Sequence, residues 1–157
     1  MNAPDAYRVA RLAPGDGALA QSLCSMMAAV FEEEQIPPSN AYVAELLARV
    51  DFWMLAATQG GEVVGGLTAH VLPMTRDESR ELFIYDIAVR VEHQRRGVGR
   101  QLMSCLQRRA SEAGIATLFV PADDEDLHAL DFYRALGGAA SPVTFFTFEA
   151  GAPQAAR

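Results

Sequence analysis

The chain reads as an α/β layer structure built on a mixed sheet, and three observations carry that reading. Strand-length apolar runs alternate with stripes of helical period. Turn residues separate nearly every pair of them. One run, residues 83–89, leads straight into a glycine-punctuated helix start. At 157 residues the chain has room for one core, so a single domain over residues 1–150 with a frayed tail at 151–157 is expected.

Residues 7–12 alternate well enough for a first strand, and Ala13-Pro14-Gly15-Asp16 breaks it. From Gly17 to about Glu33, Leu19, Leu23, Met26, Met27 and Val30 recur at three- and four-residue steps, which predicts an amphipathic helix. Pro37-Pro38-Ser39-Asn40 separates it from a second helix over 41–50. Residues 52–58 and 62–72, joined by Gln59-Gly60-Gly61, predict an antiparallel hairpin. A polar connection leads to a strand over 80–89, then a helix over 97–113 with Val98, Leu102, Cys105 and Leu106 inward and Gly114 as its stop. A buried strand over 115–120, a helix over 126–136 halted by Gly137-Gly138, and a terminal strand over 143–149 complete the order. That last strand could pair across a homodimer.

Composition narrows the function classes. Half the residues are hydrophobic and 21% are charged, as expected of a globular protein, and the longest apolar runs are far below a membrane span. Met1-Asn2-Ala3-Pro4-Asp5 lacks the pattern of a secretory signal, and Cys24 and Cys105 have no metal-ligand spacing, so a cytoplasmic protein is expected. No metal is expected either, since His70, His93 and His128 pair with no cysteine at ligand spacing. The net charge of -7 argues against nucleic acid as partner. Charge is nonetheless uneven: arginines crowd residues 90–109, while Glu32-Glu33-Glu34 and Asp123-Asp124-Glu125-Asp126 are acidic. Each acidic run is either a solvated surface or an attractor for a cationic ligand.

The helix start after residue 89 carries the chemistry. Its backbone N–H groups and the positive end of its dipole converge on one spot, which suits a pyrophosphate. The Lys-Ser/Thr pair of a nucleotide-triphosphate loop is missing, because Arg100 and Gln101 follow Gly99. A dinucleotide fingerprint also fails, since Leu102 stands where a third glycine would be required. The remaining pattern, Gln94-x-x-Gly97-x-Gly99 after an apolar strand, resembles the acetyl-coenzyme A signature of the GNAT superfamily of N-acetyltransferases.

That resemblance extends along the order of elements. It implies a mostly antiparallel mixed sheet whose fourth and fifth strands splay apart around the pantetheine arm of the coenzyme. Phe83-Ile84-Tyr85-Asp86-Ile87-Ala88-Val89, Glu92-His93-Gln94-Arg95-Arg96-Gly97, Gly65-Gly66-Leu67-Thr68-Ala69-His70-Val71-Leu72-Pro73 and Ala122-Asp123 are similar to the type I aminoglycoside 3-N-acetyltransferases. The likeness covers residues 46–148 and is weak before Tyr42. It implies acetyl-CoA as cosubstrate, held by Gln94, Arg95, Arg96, Gly97, Val98, Gly99 and Arg100, with backbone amides near Ile87, Ala88 and Val89 facing the acetyl group.

It also implies that Tyr133, in Asp131-Phe132-Tyr133-Arg134-Ala135-Leu136-Gly137, protonates the departing thiolate. Helical spacing equally allows a core aromatic at that position. Asp86 is a carboxylate inside an apolar strand, where burial without a partner is costly. It is a candidate base or counter-ion for the substrate ammonium, or else salt-bridged. Strict alternation sets it on the face opposite Tyr85 and Ile87. Asp123, Asp124, Glu125, Glu32 and Glu33 are candidate contacts for a polycationic acceptor, whereas Asp126 reads better as a helix cap. The expected reaction is direct acetyl transfer in a ternary complex to the 3-amino group of an aminoglycoside. The rivals are acetylation of a polyamine, lysine or protein N-terminus, and a sensor that binds the coenzyme without turnover.

Overall fold

A computed structural model describes residues 6–34 and 36–151. The expectations for Met1 through Asp5 and for most of the tail lie outside those residues. The described residues fall into two compact units that divide between Pro121 and Ala122.

In the first unit, β1 (Arg8–Arg11), β2 (Phe52–Gln59), β3 (Glu62–Pro73), β4 (Arg80–Val89) and β5 (Thr117–Phe119) form one sheet in the order β1-β2-β3-β4-β5. The first three pairings are antiparallel and β4–β5 is parallel, a mixed sheet as expected. The β2–β3 hairpin closes on Gly60 and Gly61, both at positive φ, which matches the right-handed twist of the strands. Two helices, α1 (Gly17–Val30) and α2 (Asn40–Ala48), and a third, α3 (Val98–Glu112), complete the unit.

Alternation along β2 sorts the core into two layers. Phe52, Met54 and Ala56 pack with Leu23, Met26 and Met27 of α1 and with Val43 and Leu47 of α2. Trp53, Leu55 and Ala57 point the other way, the side that buries Val98, Leu102 and Leu106 of α3. Gly66 lets α1 sit close: a Cβ there would lie 2.6 Å from the Leu55 carbonyl oxygen and would run into the Leu23 side chain.

Three boundaries differ from the sequence expectation. Helix α1 stops at Val30 and not near Glu33; Phe31 N–H bonds to the Met27 carbonyl (2.9 Å) and Glu32 then turns to φ +54. The acidic run therefore follows the helix and does not form its last turn. Strand β5 keeps only three of six expected residues, because Ile115 N–H is taken by the Ala110 carbonyl (2.8 Å) in the C-terminal cap of α3, with Gly114 at φ +74. In the second unit, α4 (Leu127–Ala135) is present, but residues 143–149 form no strand. Their backbone joins no ladder, and Val143, Phe145, Phe146 and Phe148 are exposed.

Candidate active site

The parallel pairing of β5 with β4 runs only from Glu81↔Thr117 to Phe83↔Phe119. Beyond Phe83, β4 continues to Val89 bonded to β3 alone, so its other edge opens where the two strands part. Ile87, Ala88 and Val89 lie on this stretch, with Ala88 buried against the α1 layer.

A β-bulge lies at the start of the open stretch. Ala69 pairs with Ile84 while Thr68 pairs with Asp86, leaving Tyr85 as the extra residue in β4. This overturns the alternation expected between Asp86 and Tyr85, while Ile87, paired with Leu67, still faces the other way. The Thr68 hydroxyl donates to the Asp86 carboxylate (3.1 Å), and the Tyr85 ring lies 5.9 Å from that of His70. Thr68 and His70 are two apart on β3 and share a face, so Tyr85 and Asp86 share it too. Asp86 is half-buried and pairs with no cation among the described residues; the Thr68 hydroxyl bonds it while leaving capacity for a ligand. Cys24 of α1 senses the same carboxylate. Burial pushes its thiol up and the Asp86 charge adds to this, which keeps it protonated and a poor nucleophile.

After β4 the chain makes a single 3₁₀ turn, Val91–His93, and the Gln94 side-chain amide donates to the Val89 carbonyl (3.0 Å), tying the turn to the strand end. Arg95 (φ +61) and Gly97 (φ +84) take left-handed conformations that aim the following amides along the axis of α3. Gln101 is the first to bond back, to the Gly97 carbonyl (3.0 Å), so the Val98, Gly99 and Arg100 amides have no helical acceptor. No acidic residue occupies the first turn, and a Cβ at Gly97 would meet nothing within 4 Å. Arg95, Arg96 and Arg100 are exposed around this opening, while Val98 is buried and anchors the helix. The donor set fits an anionic diphosphate: open amides, positive dipole end, neighbouring guanidiniums.

Nearby, a cavity of about 650 Å³ lies between α1 and the β4–α3 connection, lined by Gln21, Ser22, Ser25 and Met26 with Glu32, Arg90 and Glu92. Glu32 thus borders the same half of the molecule as the amide turn, whereas Glu33 is simply exposed. Thr68, Tyr85, His70 and Cys24 were not among the residues nominated from sequence. A threonine and a histidine spaced by two on β3 gave no signal without the register that sets them against the bulge.

In the second unit, Asp123, Asp124 and Glu125 are exposed in the loop before α4. Asp126 caps that helix by accepting from the Ala129 N–H (3.0 Å), as expected. Tyr133 lies on α4 against Phe132 with ring centroids 5.2 Å apart. Burial, and secondarily the Asp126 charge, push its phenol up to about 12. Among the described residues no cluster of three or more His, Cys, Asp or Glu is placed to hold a metal, and no helix is long and apolar enough to cross a membrane.

A strand that bulges beside an open edge and then delivers bare amides at a helix start offers a place for an anionic ligand next to a gap in the sheet. The Acetyltransferase (GNAT) family matches residues 20–137, and the chain belongs to it. Among solved structures, the aminoglycoside acetyltransferase meta-AAC0020 from an uncultured soil metagenomic sample, crystallised with trehalose, shares 33% identity. The alignment covers 91% of this chain and 95% of that one, at a TM-score of 0.88. A second aminoglycoside acetyltransferase from such a sample, HMB0005, is 33% identical over 93% and 99% of the two chains, also at 0.88. The aminoglycoside N-acetyltransferase AAC(6')-Iy, solved in complex with CoA, has the same fold at 16% identity, 96% and 99% coverage and a TM-score of 0.81. No curated protein matches the chain.

Proposed function

We propose that this enzyme transfers the acetyl group of acetyl-CoA to the 3-amino group of an aminoglycoside by direct attack in a ternary complex. The observation that carries the reading is the Tyr85 bulge, which sets the half-buried Asp86 carboxylate on the same face as Thr68, along the stretch of β4 that β5 leaves unpaired. The 33% identity to an aminoglycoside acetyltransferase, and the sisomicin complex of that same relative, support the acceptor class. Regiochemistry follows the family resemblance.

Acetyl-CoA supplies a thioester-activated acetyl group. The amides of Gly97, Val98, Gly99 and Arg100 hold its diphosphate, with Arg95 and Arg96 adding charge and Gln94 fixing the turn. Backbone amides near Ile87, Ala88 and Val89 orient the acetyl oxygen. Asp86, held by Thr68, binds the acceptor ammonium and takes its proton. Tyr133 donates a hydrogen bond toward the departing sulfur. Asp123, Asp124, Glu125, Glu32 and Glu33 attract the other ammonium groups of the acceptor. Residues 1–150 are taken as one acetyltransferase domain, a reading supported by the family match over residues 20–137. The two cysteines are free, in keeping with a cytoplasmic enzyme.

The test is thiol release from acetyl-CoA with gentamicin-like aminoglycosides, spermidine and lysine peptides as acceptors. Release with the aminoglycosides is expected. Release only with spermidine or peptides would move the acceptor class, and no release with any amine would favour a coenzyme sensor.

A further inference from the structure

The bulge brings a ring as well as a carboxylate to the acceptor face. Tyr85 stands in a row of aromatic contacts that crosses the sheet: edge-to-face pairs Phe52–His70 at 5.2 Å, His70–Tyr85 at 5.9 Å and Tyr85–Phe83 at 5.7 Å, then a tilted pair Phe83–Phe119 at 5.1 Å. Phe52 is buried in the core, so one end of the row is anchored. The other end is open to solvent, with Tyr85 63% and Phe119 41% exposed. Rings locked by their neighbours and left uncovered present apolar faces of fixed orientation. On a regular strand Tyr85 would face away from Asp86; here it stands beside it.

We infer that Tyr85 and Phe119 form a stacking platform for the sugar rings of the acceptor, next to the carboxylate that receives its amine. An amino sugar offers both complementary features: C–H faces that pack on an aromatic ring, and ammonium groups attracted to the ring quadrupole and to Asp86. A linear polyamine or a lysine side chain has the charge without the ring faces. The platform therefore selects amines carried on rings, and it rests on the aminoglycoside reading above.

The experiment is steady-state kinetics with sisomicin on the wild type, Tyr85→Ala, Phe119→Ala and Tyr85→Phe, with acetyl-CoA affinity measured by calorimetry. Because Tyr85 is largely exposed, its replacement leaves the core intact. Both alanine variants are expected to raise the sisomicin KM about tenfold while kcat stays within about twofold, as loss of stacking and cation–π contact predicts. Tyr85→Phe retains the wild-type KM, and coenzyme affinity is constant throughout. An unchanged sisomicin KM in Tyr85→Ala, with an active wild type, would overturn the platform alone. A kcat loss in Tyr85→Ala without a KM change would do the same. A wild type that releases no thiol with sisomicin would instead sink the acceptor reading, and the platform with it.

Discussion

Tyr133 holds its proton far more tightly than a free phenol. With the phenol at about 12 and an ordinary thiol near 8.5, complete proton transfer to a thiolate is uphill by roughly 5 kcal/mol. Its useful contribution is therefore a hydrogen bond that strengthens as charge develops on sulfur. Tyr133→Phe is expected to lower kcat on the order of 100-fold, the size of effect seen when one such donor is removed, while calorimetry shows coenzyme affinity little changed. Equal kcat in the variant would remove Tyr133 from the chemistry. A second readout concerns stability. The folded state keeps the proton up to about pH 12, whereas the unfolded tyrosine loses it near pH 10, so stability is fully present below pH 10 and falls as pH rises through 12. Urea midpoints at pH 9 and pH 11.5 should diverge in the wild type by more than in Tyr133→Phe. At this same scale Asp86 shows the limit of reading a strand by alternation. It stood out as a lone carboxylate in an apolar run, but its direction was set by a one-residue bulge with no glycine or proline to announce it.

At the scale of elements, the segment from β4 to α3 was the most legible part of the chain. Strand β4 has the bounds its apolar run suggested, and the Gln94, Gly97, Gly99 pattern fell at a strand–turn–helix junction because local chemistry alone fixes such a junction. The end of α1 was not legible, since Glu is a good helix former and the left-handed residue that ends the helix is Glu32, where glycine is usual. β5 was shortened by a long-range competitor, the α3 cap that takes Ile115. The junction yields a sharp prediction. Gly97→Asp places a carboxylate at the N-cap of α3, where the helix itself tolerates it and the left-handed backbone costs about 1 kcal/mol. The same carboxylate, about 5 Å from a bound phosphate, costs the ligand about 3 kcal/mol at an effective dielectric of 20. A calorimetric titration with acetyl-CoA should show affinity down on the order of 100-fold, with the thermal midpoint nearly kept. Gly97→Ala carries the same left-handed strain without the charge, so it should bind acetyl-CoA much more tightly than the aspartate variant. Equal binding by the aspartate variant would mean that the diphosphate lies elsewhere.

For the molecule as a whole, the unresolved question of the sequence is residues 143–149. The pattern Val143-Thr144-Phe145-Phe146-Thr147-Phe148-Glu149 has strong strand propensity, with Val143 and Phe145 on one side and Phe146 and Phe148 on the other. A strand apolar on both sides demands cover on both, yet these four side chains are exposed, Phe148 by 89%. Propensity was readable, but pairing is a property of the partner, and within the described sheet these residues have none. We propose that a second copy of the chain supplies it. Each phenylalanine brings about 150–250 Å² of burial, so a symmetric pairing takes roughly 1,000 Å² out of water, enough to reach the lower bound of a specific interface. Light scattering on the purified protein should give twice the 17.0 kDa chain mass, with a net charge of -7 per chain limiting assembly beyond the closed pair. Phe146→Asp, which puts a charge on that surface without touching either core layer, should return the mass to one chain. A wild type that scatters as a single chain at micromolar concentration would show that these residues find their cover in some other way.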